Sequence, residues 1–96
     1  FGDFTFNSKL RTLSYNDKSN IKLSPKENQL LKLLLIHLND LMPRELALVK
    51  IWNDDNYFTS RSMDVYIAKI RKYLQKDSSL EIENIHGEGF RLIEKK

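Results

Sequence analysis

Residues 61–76 read RSMDVYIAKIRKYLQK. Met63, Ile67, Ile70 and Leu74 recur at the three- and four-residue steps of one helical stripe. Arg61, Ser62, Val65, Tyr66, Lys69 and Tyr73 fall on a second face. A solvated helix face usually mixes carboxylates with its bases, and this stretch carries one, Asp64. The spacing predicts a helix seated on a core by its apolar stripe. Its other face is either an ordinary basic surface or a binding edge, and the rest of the chain has to decide between them.

Working outward, Ser24-Pro25-Lys26-Glu27 is a helix start: serine caps, proline suits the first helical position, and Glu27 completes a capping box. Leu30, Leu31, Leu34 and Leu38 repeat at helical spacing after it, with Leu33, Leu35 and Ile36 widening the apolar face and Asn39-Asp40 ending it. Pro43 opens a second, shorter helix, RELALVKIW, with Leu46, Val49 and Trp52 inward. Asn53-Asp54-Asp55-Asn56 breaks it, and Tyr57-Phe58 form an aromatic pair in a loop. Thr59 or Ser60 caps the third helix, in which Asp64 occupies the positive first turn, and Asp77-Ser78-Ser79 ends it. Before all this, Phe4 and Phe6, Leu13 and Tyr15, then Ile21 and Leu23 alternate between polar turn stretches, which predicts two or three short antiparallel strands. After it, LEIENIHGEGFRLIE predicts a hairpin with Gly87 and Gly89 at its tip. The order is strands, helix, helix–loop–helix, hairpin.

The chain has 96 residues, 41% hydrophobic and 30% charged, which fits a single small domain spanning 1–96. Its run LLKLLLIHL is broken by Lys32 and His37 and falls short of the ~18 apolar residues of a membrane helix. No signal-like segment opens the chain, cysteine is absent, and the expected setting is cytoplasmic with no membrane partner. Opening on Phe1, the chain reads as a fragment of a longer protein. Catalytic chemistry finds no support. His37 and His86 lie in separate elements without metal-ligand spacing. Asp54-Asp55 lacks the alternating oxygen ligands of a calcium loop, and no helix follows HGEG as a phosphate loop requires. No catalytic residue, metal or cofactor is expected, and the chain is not an enzyme.

What survives is the third helix, with a hydroxyl, a branched methyl group, two phenols and an ammonium at positions 62, 65, 66, 69 and 73. These suit a DNA major groove: lysine for guanine or phosphate, valine for a thymine methyl, serine for either. Arg61, Arg71, Lys72 and Lys76 flank them within reach of phosphates. The net charge of +3 alone points only weakly to a polyanion; the helix's place between a second helix and a hairpin carries the weight.

In that order, the residues resemble a known family. RSMDVYIAKIRKYL is similar to the recognition-helix signature of OmpR/PhoB-type response-regulator effector domains, R-[ST]-[VM]-D-V-[HY]-I-x-[RK]-[LI]-R-K-x-L. LSPKENQLLKLL resembles the family's first helix, MPRELALVKIW its second, and IENIHGEGFRL its closing I-x-T-V-R-G-x-G-Y-R. The match covers most of residues 22–93. It implies an α+β winged helix-turn-helix: an N-terminal antiparallel sheet of about four strands (1–23), a three-helix core (24–77) and a C-terminal hairpin wing (80–94).

The function implied is sequence-specific binding of double-stranded DNA by a two-component transcriptional regulator, with the third helix in the major groove and the wing at the minor groove. Carried over by position, the DNA-binding residues are Arg61, Ser62, Val65, Tyr66 and Lys69, with Arg71 or Lys72 toward the backbone, and Asn84, His86 and Gly87 on the wing. The 52–59 connection corresponds to the loop that contacts RNA polymerase, placing Asn53, Asp54, Asp55, Asn56 and Tyr57 there. An upstream receiver domain, a cognate histidine kinase and head-to-tail pairing on direct repeats complete what the family implies. Three residues depart from its pattern: His86 for arginine, Asn84 for threonine, and Glu88 at the wing tip. A neutral imidazole beside a carboxylate is a weaker minor-groove ligand than a guanidinium. The alternative function is a winged-helix protein-interaction module without specific DNA binding. Tyr57 and Phe58 divide similarly, as exposed partner contacts or as aromatic plugs on the core.

Overall fold

The computed structural model describes residues 1–53 and 57–95, with the backbone alone at Ser19, Tyr57, Phe58 and Thr59. Three strands open the chain, β1 (Phe4–Asn7), β2 (Thr12–Tyr15) and β3 (Ser19–Lys22), paired antiparallel in sequence order. Where the resemblance implies about four strands, the described residues hold three. Left-handed backbone at Arg11, Asn16 and Asp17 cuts the segment into four-residue pieces. Phe4 and Leu13 are buried from this sheet, and Leu23 just after it.

α1 (Pro25–Ile36) begins with the expected capping box: the Glu27 amide donates to Ser24 Oγ at 3.3 Å, and Glu27 Oε1 accepts from the Ser24 amide at 2.8 Å. Leu30, Leu31, Leu33 and Leu34 are buried. The helix stops at Ile36, short of Asn39-Asp40, because His37 caps it and Asn39 turns left-handed at φ 64°. Ile36 consequently faces outward, 67% exposed, rather than widening the apolar face.

A two-residue strand that the alternation did not predict follows, β4 (Met42–Pro43), then α2 (Arg44–Ala47), which runs into a π-helical turn at Leu48–Trp52. The wider turn changes which side faces in. Ala47, Leu48 and Ile51 are buried in place of the expected Leu46, Val49 and Trp52; Val49 is 54% exposed and the other two are half-buried.

α3 (Tyr57–Leu74) is 18 residues long. It starts earlier than a Thr59 or Ser60 cap predicts, since no glycine or proline interrupts the run, so Tyr57 and Phe58 belong to helical backbone and not to a loop. Asp64 therefore lies beyond the first turn, where the helix dipole has faded, and needs another explanation. Met63, Ile67, Ile70 and Leu74 are all buried, at 2% exposure or less, against α1, the π turn and the wing.

The wing is a hairpin of β5 (Leu80–Ile85) and β6 (Gly89–Glu94), with Ile85 opposite Gly89 and Leu80 opposite Glu94. At its tip Gly87 has φ 76°, a conformation that costs other residues strain. β4 joins the free edge of β6, giving the order β4–β6–β5 with Met42 opposite Phe90 and Pro43 opposite Gly89. Proline is tolerated on such an edge. Gly89 is required by proximity: a Cβ there would lie 2.1 Å from the Met42 carbonyl oxygen. The whole is an α+β winged helix-turn-helix.

Two buried carboxylates fasten its parts. Tyr73 donates its hydroxyl to Glu27 Oε2 at 2.7 Å, tying α3 to the α1 capping box. Burial acts to raise the Glu27 pKa, but hydrogen bonds from Ser24 and Tyr73 outweigh it and hold the group below the usual 4.5. The same bond to Glu27 pushes Tyr73 up from 10.0 to about 12. Asp77, beyond α3, accepts from the Ser79 hydroxyl at 2.6 Å, the Ser79 amide at 2.9 Å and the Asp3 amide at 2.8 Å. These bonds, that of the Ser79 hydroxyl foremost, hold its carboxyl below its ordinary range.

Tyr73→Phe leaves Glu27 buried without its phenol donor and is expected to cost about 1.5–3 kcal/mol at neutral pH. A phenol whose folded pKa is raised stabilises fully below pH 10.0 and loses that contribution as pH rises through about 12. The gap between the two proteins in denaturant titrations should therefore narrow over that window; a pH-independent gap would show that the hydroxyl is not engaged. Glu27 behaves oppositely, stabilising above the usual 4.5 and losing its contribution as acid titrates its depressed pKa. Gly89→Ala, forced against β4, is expected to destabilise by about 1–3 kcal/mol. It should exceed Gly87→Ala, whose Cβ meets nothing within 4 Å, and thermal unfolding of the pair checks the order.

Candidate nucleic-acid interface

Because its apolar stripe is buried, α3 presents its remaining sides outward from a fixed axis. Arg61, Ser62 and Val65 are exposed, Val65 at 55% despite its apolar side chain. They line one open cleft with Arg44, Ser60, Asp64 and Ala68. Arg44 and Ser60 also line the adjoining cleft, whose far wall is Gly87 and Glu88 of the wing tip. Arg61, Ser62 and Val65 of the expected helix residues and Gly87 of the expected wing residues thus line two clefts that adjoin at Arg44 and Ser60. His86 and Asn84 are exposed beside it, Asn84 in β5 opposite Phe90.

Tyr66 and Lys69 occupy the other flank. Tyr66 is half-buried with its ring 5.7 Å from that of Trp52, and Lys69 Nζ stands 5.2 Å from the Tyr66 ring centre. Lys26 Nζ lies 5.3 Å from the Trp52 ring centre, extending a chain of cations and rings across three elements. Lys69 is exposed, held near the helix by this packing while its ammonium remains in solvent.

Two residues on the outer faces have internal duties. Tyr73, grouped by spacing with the reading face, turns instead to Glu27 and leaves that face. Arg71 donates from Nη2 to the Ile82 carbonyl at 3.0 Å, so its guanidinium ties α3 to β5. Lys72 is exposed on the same stretch. Of the residues expected to face a polymerase, Asp54, Asp55 and Asn56 lie outside the described residues, as do the side chains of Tyr57 and Phe58. Asn53 ends the π turn in left-handed conformation at φ 56°.

Arg44 is the residue that spacing does not reveal. Its Nη1 and Nη2 donate to Asp64 Oδ1 at 2.9 and 2.5 Å, and its guanidinium carbon lies 5.3 Å from the centre of the Phe90 ring. Its amide donates to the Glu88 carbonyl at 2.9 Å. The side chains are 29% and 51% exposed, so the ion pair adds little to stability. It does explain why a carboxylate stands on an otherwise basic face. On the wing, Glu83 pairs with Arg91, and Glu81 with Lys95 at 3.4 Å. Among the described residues there is no cluster of three His, Cys, Asp or Glu able to hold a metal ion, and no helix long and apolar enough to cross a membrane.

The surface can therefore offer hydroxyl, methyl, guanidinium and ammonium groups to a polyanion, and similar proteins place it in context. Residues 17–92 match the family described as transcriptional regulatory protein, C terminal. The transcriptional regulatory protein RprY of Bacteroides fragilis (strain YCH46) is 53% identical over 92 residues, covering 96% of this chain and 39% of that protein. The heme response regulator HssR of Staphylococcus aureus (strain JH9) is 33% identical over 92 residues, covering 95% of this chain and 41% of that protein. The chain thus spans about two fifths of the length of these relatives. The DNA-binding domain of Bacillus subtilis CssR is 28% identical with a TM-score of 0.78, covering 93% of this chain and 98% of that one. That family is one of transcriptional regulators and not of enzymes. With its matched span taking in all three helices and nearly the whole wing, this chain belongs to the family of C-terminal domains of transcriptional regulatory proteins, the OmpR/PhoB type that its motifs resemble.

Proposed function

We propose that this domain binds double-stranded DNA in a sequence-specific manner as the effector part of a two-component response regulator. α3 would enter the major groove and the wing tip the adjacent minor groove. One observation carries the reading: Arg61, Ser62 and Val65 stand exposed on a helix whose opposite stripe is fully buried, in a cleft continuous with Gly87 of the wing. A helix held by its buried stripe, with polar side chains and an exposed branched methyl group on the outer face, suits base edges.

The roles divide by chemistry. Ser62 and Val65 read base edges, Val65 through a thymine methyl group, while Arg61 and Lys72 lie toward phosphates. Lys69 takes guanine, and Tyr66, half-buried on Trp52, contributes its phenol edge and holds Lys69 near the groove. Arg71 supports the backbone side through its tie to β5. On the wing Asn84, His86 and Gly87 approach the minor groove, His86 more weakly than an arginine would.

CssR and the response regulator HssR support this assignment by their similarity. The limited share of RprY and HssR spanned by this chain supports a receiver domain elsewhere in the whole protein, answering to a histidine kinase in the cytoplasm. RNA polymerase contact through Asn53, Asp54, Asp55, Asn56 and Tyr57, and head-to-tail pairing on direct repeats, complete the proposal.

Selecting bound sequences from a random DNA pool would define the operator. On it, Lys69→Ala is expected to cost about 1–3 kcal/mol, with much less lost on random duplex; an equal loss on both would reduce Lys69 to a phosphate anchor. Lys72→Ala should weaken both duplexes alike and lower the salt slope by about 1. A wild-type domain whose binding ignores salt would end the DNA reading.

A further inference from the structure

We propose that Arg44 is a positioning residue that sets the angle between the reading helix and the wing, and that Asp64 is retained on the DNA-facing side to hold it there. The inference rests on the DNA-binding reading and adds a specificity determinant outside α3. Arg44 touches three elements at once. Its guanidinium takes Asp64 of α3 in a forked contact at 2.9 and 2.5 Å. The same group lies over Phe90 of β6, and its amide donates to Glu88 at the wing tip at 2.9 Å. Arginine supplies both the planar fork and the stacking surface, which lysine cannot combine.

The physical need is clear from the fold. The wing reaches the three-helix core through β4, the buried faces of β5 and β6, and Arg71 on the side away from the tip. Between the tip and the N-terminal half of α3 lies an open cleft, with Arg44 spanning it. Two grooves of one duplex have fixed spacing, so a wing free to swing relative to α3 would satisfy one groove at the expense of the other. Phosphate contacts carry no sequence information directly, so play among them costs little discrimination; base-edge contacts depend on exact placement. A clamp here should therefore govern discrimination more than general affinity.

The test uses the 96-residue chain with its selected operator and a random duplex, at several salt concentrations, for Arg44→Ala, Asp64→Ala and the double variant. Each single change is expected to weaken operator binding about tenfold, and the double variant no more than either single one, the signature of a coupled pair. Random-duplex affinity should change less than about twofold, with the salt slope unaltered. Residual dipolar couplings of the free domain should report a changed orientation of β5–β6 relative to α3 in Arg44→Ala. Additive losses, or couplings identical to wild type, overturn the clamp. So does an equal loss on both duplexes with a salt slope lower by about 1, which would make Arg44 a phosphate contact. Tighter binding of both duplexes by Asp64→Ala would mark that carboxylate as mere repulsion and overturn the proposal too. A wild-type chain that binds neither duplex would instead overturn the DNA reading itself, an outcome separate from all of these.

Discussion

A helix that reads another molecule has to be gripped from one side only. Met63, Ile67, Ile70 and Leu74 provide that grip, each buried at 2% exposure or less. Burying side chains of this size is favourable by roughly 1.5–3 kcal/mol apiece. α1, the π turn after α2 and β5 of the wing all pack against α3 and keep this stripe dry. Their common effect is a helix axis that cannot roll. A roll of one residue step would bring Tyr66 or Lys69 inward and carry an apolar residue out to solvent, so the identity of the outward face follows from the inward one.

Much of this was legible in the residues because it depends on period and on local chemistry. The apolar stripe of α3, the Ser24 and Glu27 capping box and the Gly87 turn are all short-range matters, and each stands where spacing puts it. The misreadings have two causes, a local change of period and pairing at long range. Periodicity at 3.6 residues assigned Leu46, Val49 and Trp52 inward, but a π turn has another period. The strand β4 has only two residues and no alternation to detect; it exists because Gly89 allows the backbone of Met42 to approach. Tyr73 looked like part of the exposed face until its partner on α1 was known, 46 positions away in the chain. Arg44 likewise acts on residues distant in sequence. Long-range pairing leaves no periodic trace.

The chain's modest net charge of +3 is a poor guide to its surface. Asp64, Glu83 and Glu81 are each paired with a neighbouring cation, and Glu27 and Asp77 are buried acceptors. These carboxylates are engaged within the fold, where they orient helices and strands, and contribute less free negative field than their number implies. The local field around α3 depends on how its exposed cations, Lys69 and Lys72 among them, are arranged, not on the sum over the molecule.

Asp77 gives the molecule a mechanical property. Through one carboxylate it joins the segment leading into the N-terminal sheet, at the Asp3 amide, to the turn that follows α3, at Ser79. Gly2 sits so close that a methyl group there would press on that same carboxylate, at 2.5 Å. Force applied to the first residues of the chain would thus have a short polar route to the far end of α3, beside the apolar one through Phe1 and Phe4. The domain resembles a lever whose handle and blade share a rivet, and the rivet is an ionised side chain that acid loosens.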